Sequence, residues 1–120
     1  MIMADKLLVA LQKATKDLLY PSETDAPFEI FLWDAAENSA ASVRRLAGIS
    51  AKEKCKPVTL ETFLMDLVEE EEFLNLKTIL EKTLTGIQVY RFGGSDATYY
   101  IVGSDAAGRL VALKTLAVET

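Results

Sequence analysis

The chain contains no histidine. That removes the side chain most often used as a general base near neutral pH and the commonest protein ligand for metals. There is one cysteine, Cys55, so no disulfide can form within the chain and the fold needs no oxidising compartment. Cys55 has no imidazole to take its proton. Between Lys54 and Lys56, whose charges would lower its pKa somewhat, it reads as an incidental thiol and not as a nucleophile. Positive charge is also in deficit: 13 Lys and Arg against 18 Asp and Glu give a net charge of −5. A nucleic-acid binder needs a basic face to neutralise phosphates, so this balance argues against one. It suits a basic protein partner, or plain solubility. No segment approaches the ~20 apolar residues of a membrane span, and Met1–Lys6 has no basic stretch leading into an apolar run. The expectation is a cytoplasmic protein that does not enter the membrane.

What is present is a globular composition. Half of the 120 residues are hydrophobic and 26% are charged, enough for one domain spanning 1–120 and one core. Residues 4–19 predict an amphipathic helix, with Leu7, Leu8, Leu11, Ala14, Leu18 and Leu19 at helical spacing, Asp5 as its N-cap and Pro21 as its stop. Pro21 and Pro27 then bracket a short polar loop, Ser22-Glu23-Thr24-Asp25. Phe28–Trp33 follows, apolar on both faces, which predicts a strand buried from both sides and lying inside a sheet. A polar loop held between two rigid elements suits recognition, because the scaffold sets its geometry.

The middle of the chain is plainer. Ser39–Leu46 predicts a short helix capped by Asn38 or Ser39 and stopped at Gly48. Lys52–Lys56 reads as an exposed connection leading to Pro57. Thr59–Val68 is a helix with Leu60, Phe63, Leu64, Leu67 and Val68 on one stripe. A further stripe, Phe73, Leu76, Leu80 and Leu84, lies about half a turn away on a continuous helix at ~100° per residue. A break near Glu69–Glu72 is therefore expected. The four glutamates there would suit a cation or a basic partner, or serve as a solvated helix start where carboxylates complement the dipole.

The chain closes with three predicted strands, 87–92, 98–102 and 110–118, joined by Gly- and Asp-rich turns at 93–96 and 103–108. Gly103–Gly108 has the spacing of a phosphate loop but lacks its Lys and Ser/Thr, and a strand follows it, so it reads as a hairpin turn. Tyr90, Tyr99 and Tyr100 lie on strands and are expected to pack. Together these elements predict an α+β fold: a three-layer α/β/α sandwich around a mostly antiparallel sheet of about four strands. Two oxygen-rich features remain as candidate sites: Glu23 and Asp25 in the bracketed loop, and Glu119 and Thr120 at the end of the last strand. Hard oxygen groups on a held terminus can approach a Mg²⁺ ion or an arginine cluster.

The stretch Leu18–Trp33, with Val89-Tyr90-Arg91-Phe92-Gly93, Tyr100-Ile101-Val102-Gly103 and Val118-Glu119-Thr120, resembles the nuclease A inhibitor family. These are small acidic bacterial proteins that block a sugar-nonspecific, magnesium-dependent endonuclease. The resemblance implies an inhibitor seated over the nuclease cleft, its terminal threonine approaching the catalytic magnesium and a loop glutamate approaching it through water. Thr120 and Glu23 occupy the matching positions. On this reading the metal belongs to the partner, and this chain is no enzyme and needs no cofactor. The family pattern has a longer acidic insert with an aromatic residue between its two middle helices, where this chain has only Leu67–Phe73. Residues 34–57 also match poorly. A non-enzymatic binding module of the same fold with a partner other than a nuclease is the alternative.

Overall fold

The first helix forms where the leucine spacing predicts it but stops earlier. In the computed structural model, which describes residues 4–23, 25–34 and 37–118, α1 runs Ala4–Thr15. Asp5 therefore falls inside the helix and not at its cap. The stop is Asp17, whose φ of 59° is left-handed; among non-glycine residues, aspartate and asparagine tolerate this best. Leu18 turns back into the core, while Leu19 is exposed. Pro21 thus lies beyond the helix end and does not set it. Leu19–Tyr20 instead forms a two-residue strand, β1, antiparallel to β2, Ala26–Pro27.

Among the described residues the main sheet has five strands, not about four. Its order is β3 (Glu29–Trp33), β7 (Leu110–Val118), β6 (Asp96–Ser104), β5 (Thr85–Gly93) and β4 (Cys55–Val58), and each neighbouring pair is antiparallel. The additional strand is β4, in the Lys-rich segment that reads from sequence as an exposed connection. It is an edge strand, where proline and lysine are tolerated because one row of backbone groups faces solvent. Residues 48–54 are led to it by Arg44, which donates to the Ser50 and Glu53 carbonyls at 2.6 and 2.7 Å and lies over the Phe92 ring.

β3 lies elsewhere in the sheet than its two apolar faces predict. Although apolar on both faces, it is the opposite edge of the sheet, and among the described residues it pairs only with β7. Period-two alternation reports what covers the two faces, and says nothing about neighbours along the sheet. Ile30 and Leu32 pack into a cluster with Leu11 of α1, while Phe31 and Trp33 pack into another with Val43 of α2, Ala40–Ala47. Alternate residues of the long strands divide the same way. Val89, Tyr99, Ile101, Val111 and Leu113 join the first cluster; Tyr90, Tyr100, Val102, Leu110 and Ala112 join the second.

α2 behaves as its sequence predicts. Ser39 Oγ accepts from the Ser42 amide, and Gly48 closes the helix at φ 70°. Asn38 does not cap; its amide donates to the Gly86 and Val102 carbonyls and its Oδ1 accepts from the Tyr90 hydroxyl at 2.8 Å. The expected helical break is present at Glu70, which is extended at φ −87° and ψ 132°. Before it the helix is shorter than predicted: α3 is only Leu60–Phe63, followed by a single 3-10 turn at Leu67–Glu69. After it, α4 runs Glu71–Thr83 and buries Phe73, Leu76 and Leu80. Glu71 and Glu72 are the solvated first turn of α4.

The last hairpins form as expected, except that the strands run further into the turns: Gly93 belongs to β5, Asp96 and Ser104 to β6, and so does Gly103. A methyl group added there would stand only 2.9 Å from Leu84 Cβ, so the position admits no side chain without movement. The turn itself is built by Asp105. Its Oδ1 accepts from the Ala107 and Arg109 amides, and its Oδ2 pairs with the Arg109 guanidinium.

Candidate functional site

The bracketed loop is tied to the far end of the chain. Glu23 N–H donates to the Val118 carbonyl at 3.1 Å, and Val118 N–H donates to Ser22 Oγ at 3.1 Å across 96 residues of sequence. The loop thus borders the last described residue of β7. A third link lies beneath: the Thr115 hydroxyl donates to the Pro27 carbonyl at 3.1 Å and reaches the Ala26 carbonyl at 3.4 Å. Thr115 is 1% exposed, so its hydroxyl needs a protein partner, and the strand β2 supplies it.

The stem of the loop is held by aromatic packing. Tyr20 stacks on Phe63 with ring centres 4.7 Å apart and planes 3° apart. Phe28 and Tyr99 meet the Tyr20 ring from other directions, and Phe63 in turn meets Tyr99 at 4.8 Å. Pairs of this kind are each worth about 0.5–1.5 kcal/mol beyond the area they bury. Arg91 lies over the Tyr99 ring, donates to its hydroxyl, and reaches the Gly93 and Gly94 carbonyls in the β5–β6 turn. The tyrosines expected to pack do so: Tyr90, Tyr99 and Tyr100 are all buried.

Glu23 and Asp25 both have exposed side chains in this loop. Glu23 is tied through its own amide to Val118, and Asp25 directly precedes β2. Glu119 and Thr120 lie outside the described residues. Ser22 and Thr115 are the positioning residues that sequence reading passed over. Thr115 had a legible signal: it shares a face with Val111, Leu113 and Ala117, and a hydroxyl on a buried face must find an acceptor. Ser22 had none, because its partner is remote in sequence.

Among the described residues no three carboxylate or thiol groups converge as a metal site. The Cys55 thiol is pushed up from its ordinary value by burial, with Arg44 pulling the other way. The flanking lysines that the sequence suggests as its perturbing charges do not dominate. Burial likewise raises Tyr90 and Tyr100.

Comparison with family models gives a match to the nuclease A inhibitor-like protein family over residues 5–120. The chain belongs to this family. Comparison with individually curated proteins returns no match. As a nuclease A inhibitor-like protein, the chain is covered by the family across its middle as well as its ends, including the segments around β4 and α3 where the sequence resemblance is thin.

Proposed function

We propose that this single-domain, three-layer α/β/α protein inhibits a sugar-nonspecific, metal-dependent endonuclease by occupying its active-site cleft. Glu23 and Asp25 of the loop, with Glu119 and Thr120 beyond β7, form the inserting edge. Glu23 and the Thr120 oxygens approach the partner's metal where a substrate phosphate would sit. The observation that carries this reading is the pair of hydrogen bonds between Ser22–Glu23 and Val118. They make one edge of two segments that share no sequence proximity, in a chain of this family.

The chemistry is competitive occlusion. A cleft that binds nucleic acid is basic, and a net charge of −5 steers the inhibitor towards it. Carboxylate and hydroxyl oxygens suit a hard ion such as Mg²⁺, whose compact shell tolerates little displacement. Nothing in this role asks the inhibitor to turn over a substrate, and we place it in the cytoplasm.

The test is an inhibition panel of nonspecific metal-dependent nucleases. Against one that the intact chain blocks, Glu23→Gln should weaken inhibition by about 2–5 kcal/mol, the cost of removing one partner of a desolvated charged contact. Its melting temperature should hardly change, because an exposed loop charge contributes little to folding. Deleting Thr120, or adding a few residues after it, should also impair inhibition. Equal inhibition constants for the intact, shortened and extended chains would remove Thr120 from the mechanism. Failure to block any nuclease in the panel would leave a binding module with another partner.

A further inference from the structure

β3 is an edge strand whose one protecting charge is Glu29, at its start. It pairs with β7 from Glu29↔Lys114 to Trp33↔Leu110, and among the described residues no strand covers its other side. The opposite edge, β4, carries Lys56 and Pro57, with Lys54 just before it; these groups discourage further pairing. β3 instead reads Glu-Ile-Phe-Leu-Trp, with Ile30, Phe31, Leu32 and Trp33 all half-buried, and it contains no lysine, proline or bulge.

A cleft of about 570 Å³ runs beside the start of the strand, between Phe28 and Ile30 on one wall and the end of α1 on the other. The α1 wall presents Lys13 and Lys16, with Asp17 beyond them. Both lysines are exposed, and the ion pairs found among the described residues involve neither.

We propose that the chain forms a two-fold dimer through this edge, β3 against β3 of a second copy. Opposed antiparallel residues share a face, so a strand can pair with itself about its central residue. With Phe31 opposite Phe31 of the second copy, Ile30 meets Leu32 on the α1 face of the sheet. Trp33 lies opposite Glu29. One residue further, Asp34 of the second copy falls opposite Phe28, at the mouth of the cleft. Asp34 is exposed, and in this register it meets Lys13 and Lys16. The same contact recurs at the other end by symmetry. Two lysines outweigh Asp17, so the cleft favours a carboxylate. The backbone groups of β3 left facing solvent in one copy are satisfied by the other, which makes a continuous ten-stranded sheet of two five-stranded ones.

Self-association is read by sedimentation equilibrium from micromolar to millimolar protein, with fluorescence as a second measure. Trp33 is the sole tryptophan of the chain, so its emission should shift red on dilution as the edge returns to water. Asp34→Lys should weaken the dimer by about tenfold, as should Lys13→Glu with Lys16→Glu, because each places like charges opposite one another. Combining all three substitutions should restore it. These residues are exposed, so the melting temperature of each dilute variant should match the parent. A monomer throughout the concentration range overturns the proposal. So does a dimer that is indifferent to the charge swaps, since its interface must then lie elsewhere. Neither outcome depends on whether the chain inhibits a nuclease.

Discussion

Replacing Ser22 with alanine should uncouple the loop from the end of β7. In the parent, Val118 N–H donates to Ser22 Oγ at 3.1 Å, in a part-buried setting. An intramolecular hydrogen bond contributes about 0.5–1.5 kcal/mol net, and more when the orphaned donor is cut off from water. Water can reach this one in part, so a loss of about 1 kcal/mol is expected. For a chain of this size that is a fall in melting temperature of about 3–6 °C. The local effect is more diagnostic. If the hydroxyl holds the strand end closed, hydrogen exchange at the Val118 amide should quicken about fivefold, the same free energy read at one site. Amides in the middle of β7, such as Leu113, should slow or quicken only with global stability. Inhibition of a nuclease should weaken by a comparable factor, because the loop and strand end must then be ordered on binding. Ser22→Thr keeps the hydroxyl and is the control. Unchanged exchange at Val118 in Ser22→Ala would refute the clip, as would a threonine variant as impaired as the alanine one.

Thr115→Val keeps the shape of a buried side chain and removes the donor to the Pro27 carbonyl, so thermal melts should show a loss of about 1–2 kcal/mol, and inhibition should fall with it. Asp105 is a pH-dependent element: burial alone would raise its carboxyl, but hydrogen bonds from Arg109 and Ala107 and the Arg109 charge outweigh this and hold it below the ordinary range. A depressed folded pKa stabilises above the unfolded value and is lost as pH falls through the folded one. The stability gap between parent and Asp105→Asn, about 1–2 kcal/mol at neutral pH and followed by denaturant unfolding, should therefore close as pH drops below about 3.9; a gap constant down to acid would contradict it. Gly103→Ala should cost about 1–3 kcal/mol by overpacking against Leu84 and Ile87, measured by denaturant unfolding.

Much of the architecture is local and so was legible in the residues. The leucine stripe of α1, the Ser39 and Gly48 signals of α2, the half-turn phase slip that demands a break near Glu69–Glu72, and the glycine-rich hairpins all depend on near neighbours in sequence. Apolar alternation also announced that the strands would be covered on both faces. The candidate loop was visible from its prolines, with Glu23 and Asp25 as its exposed carboxylates.

What the residues alone could not decide is what depends on distant partners. β4 forms because β5 offers it an edge, and lysines with a proline are acceptable only at an edge. β3 is an edge because, among the described residues, β7 alone pairs with it, a fact that side-chain pattern cannot encode. α1 ends at Thr15, with Asp17 turning the chain, because Leu18 is drawn into the core and Leu19–Tyr20 finds β2, so tertiary contacts override a periodicity that continues to Leu19. The joining of Ser22 and Glu23 to Val118 is of the same kind. Each segment carries its own local preference, but the hydrogen bonds that make them one edge exist only once the sheet has brought residues 96 positions apart to within 3.1 Å.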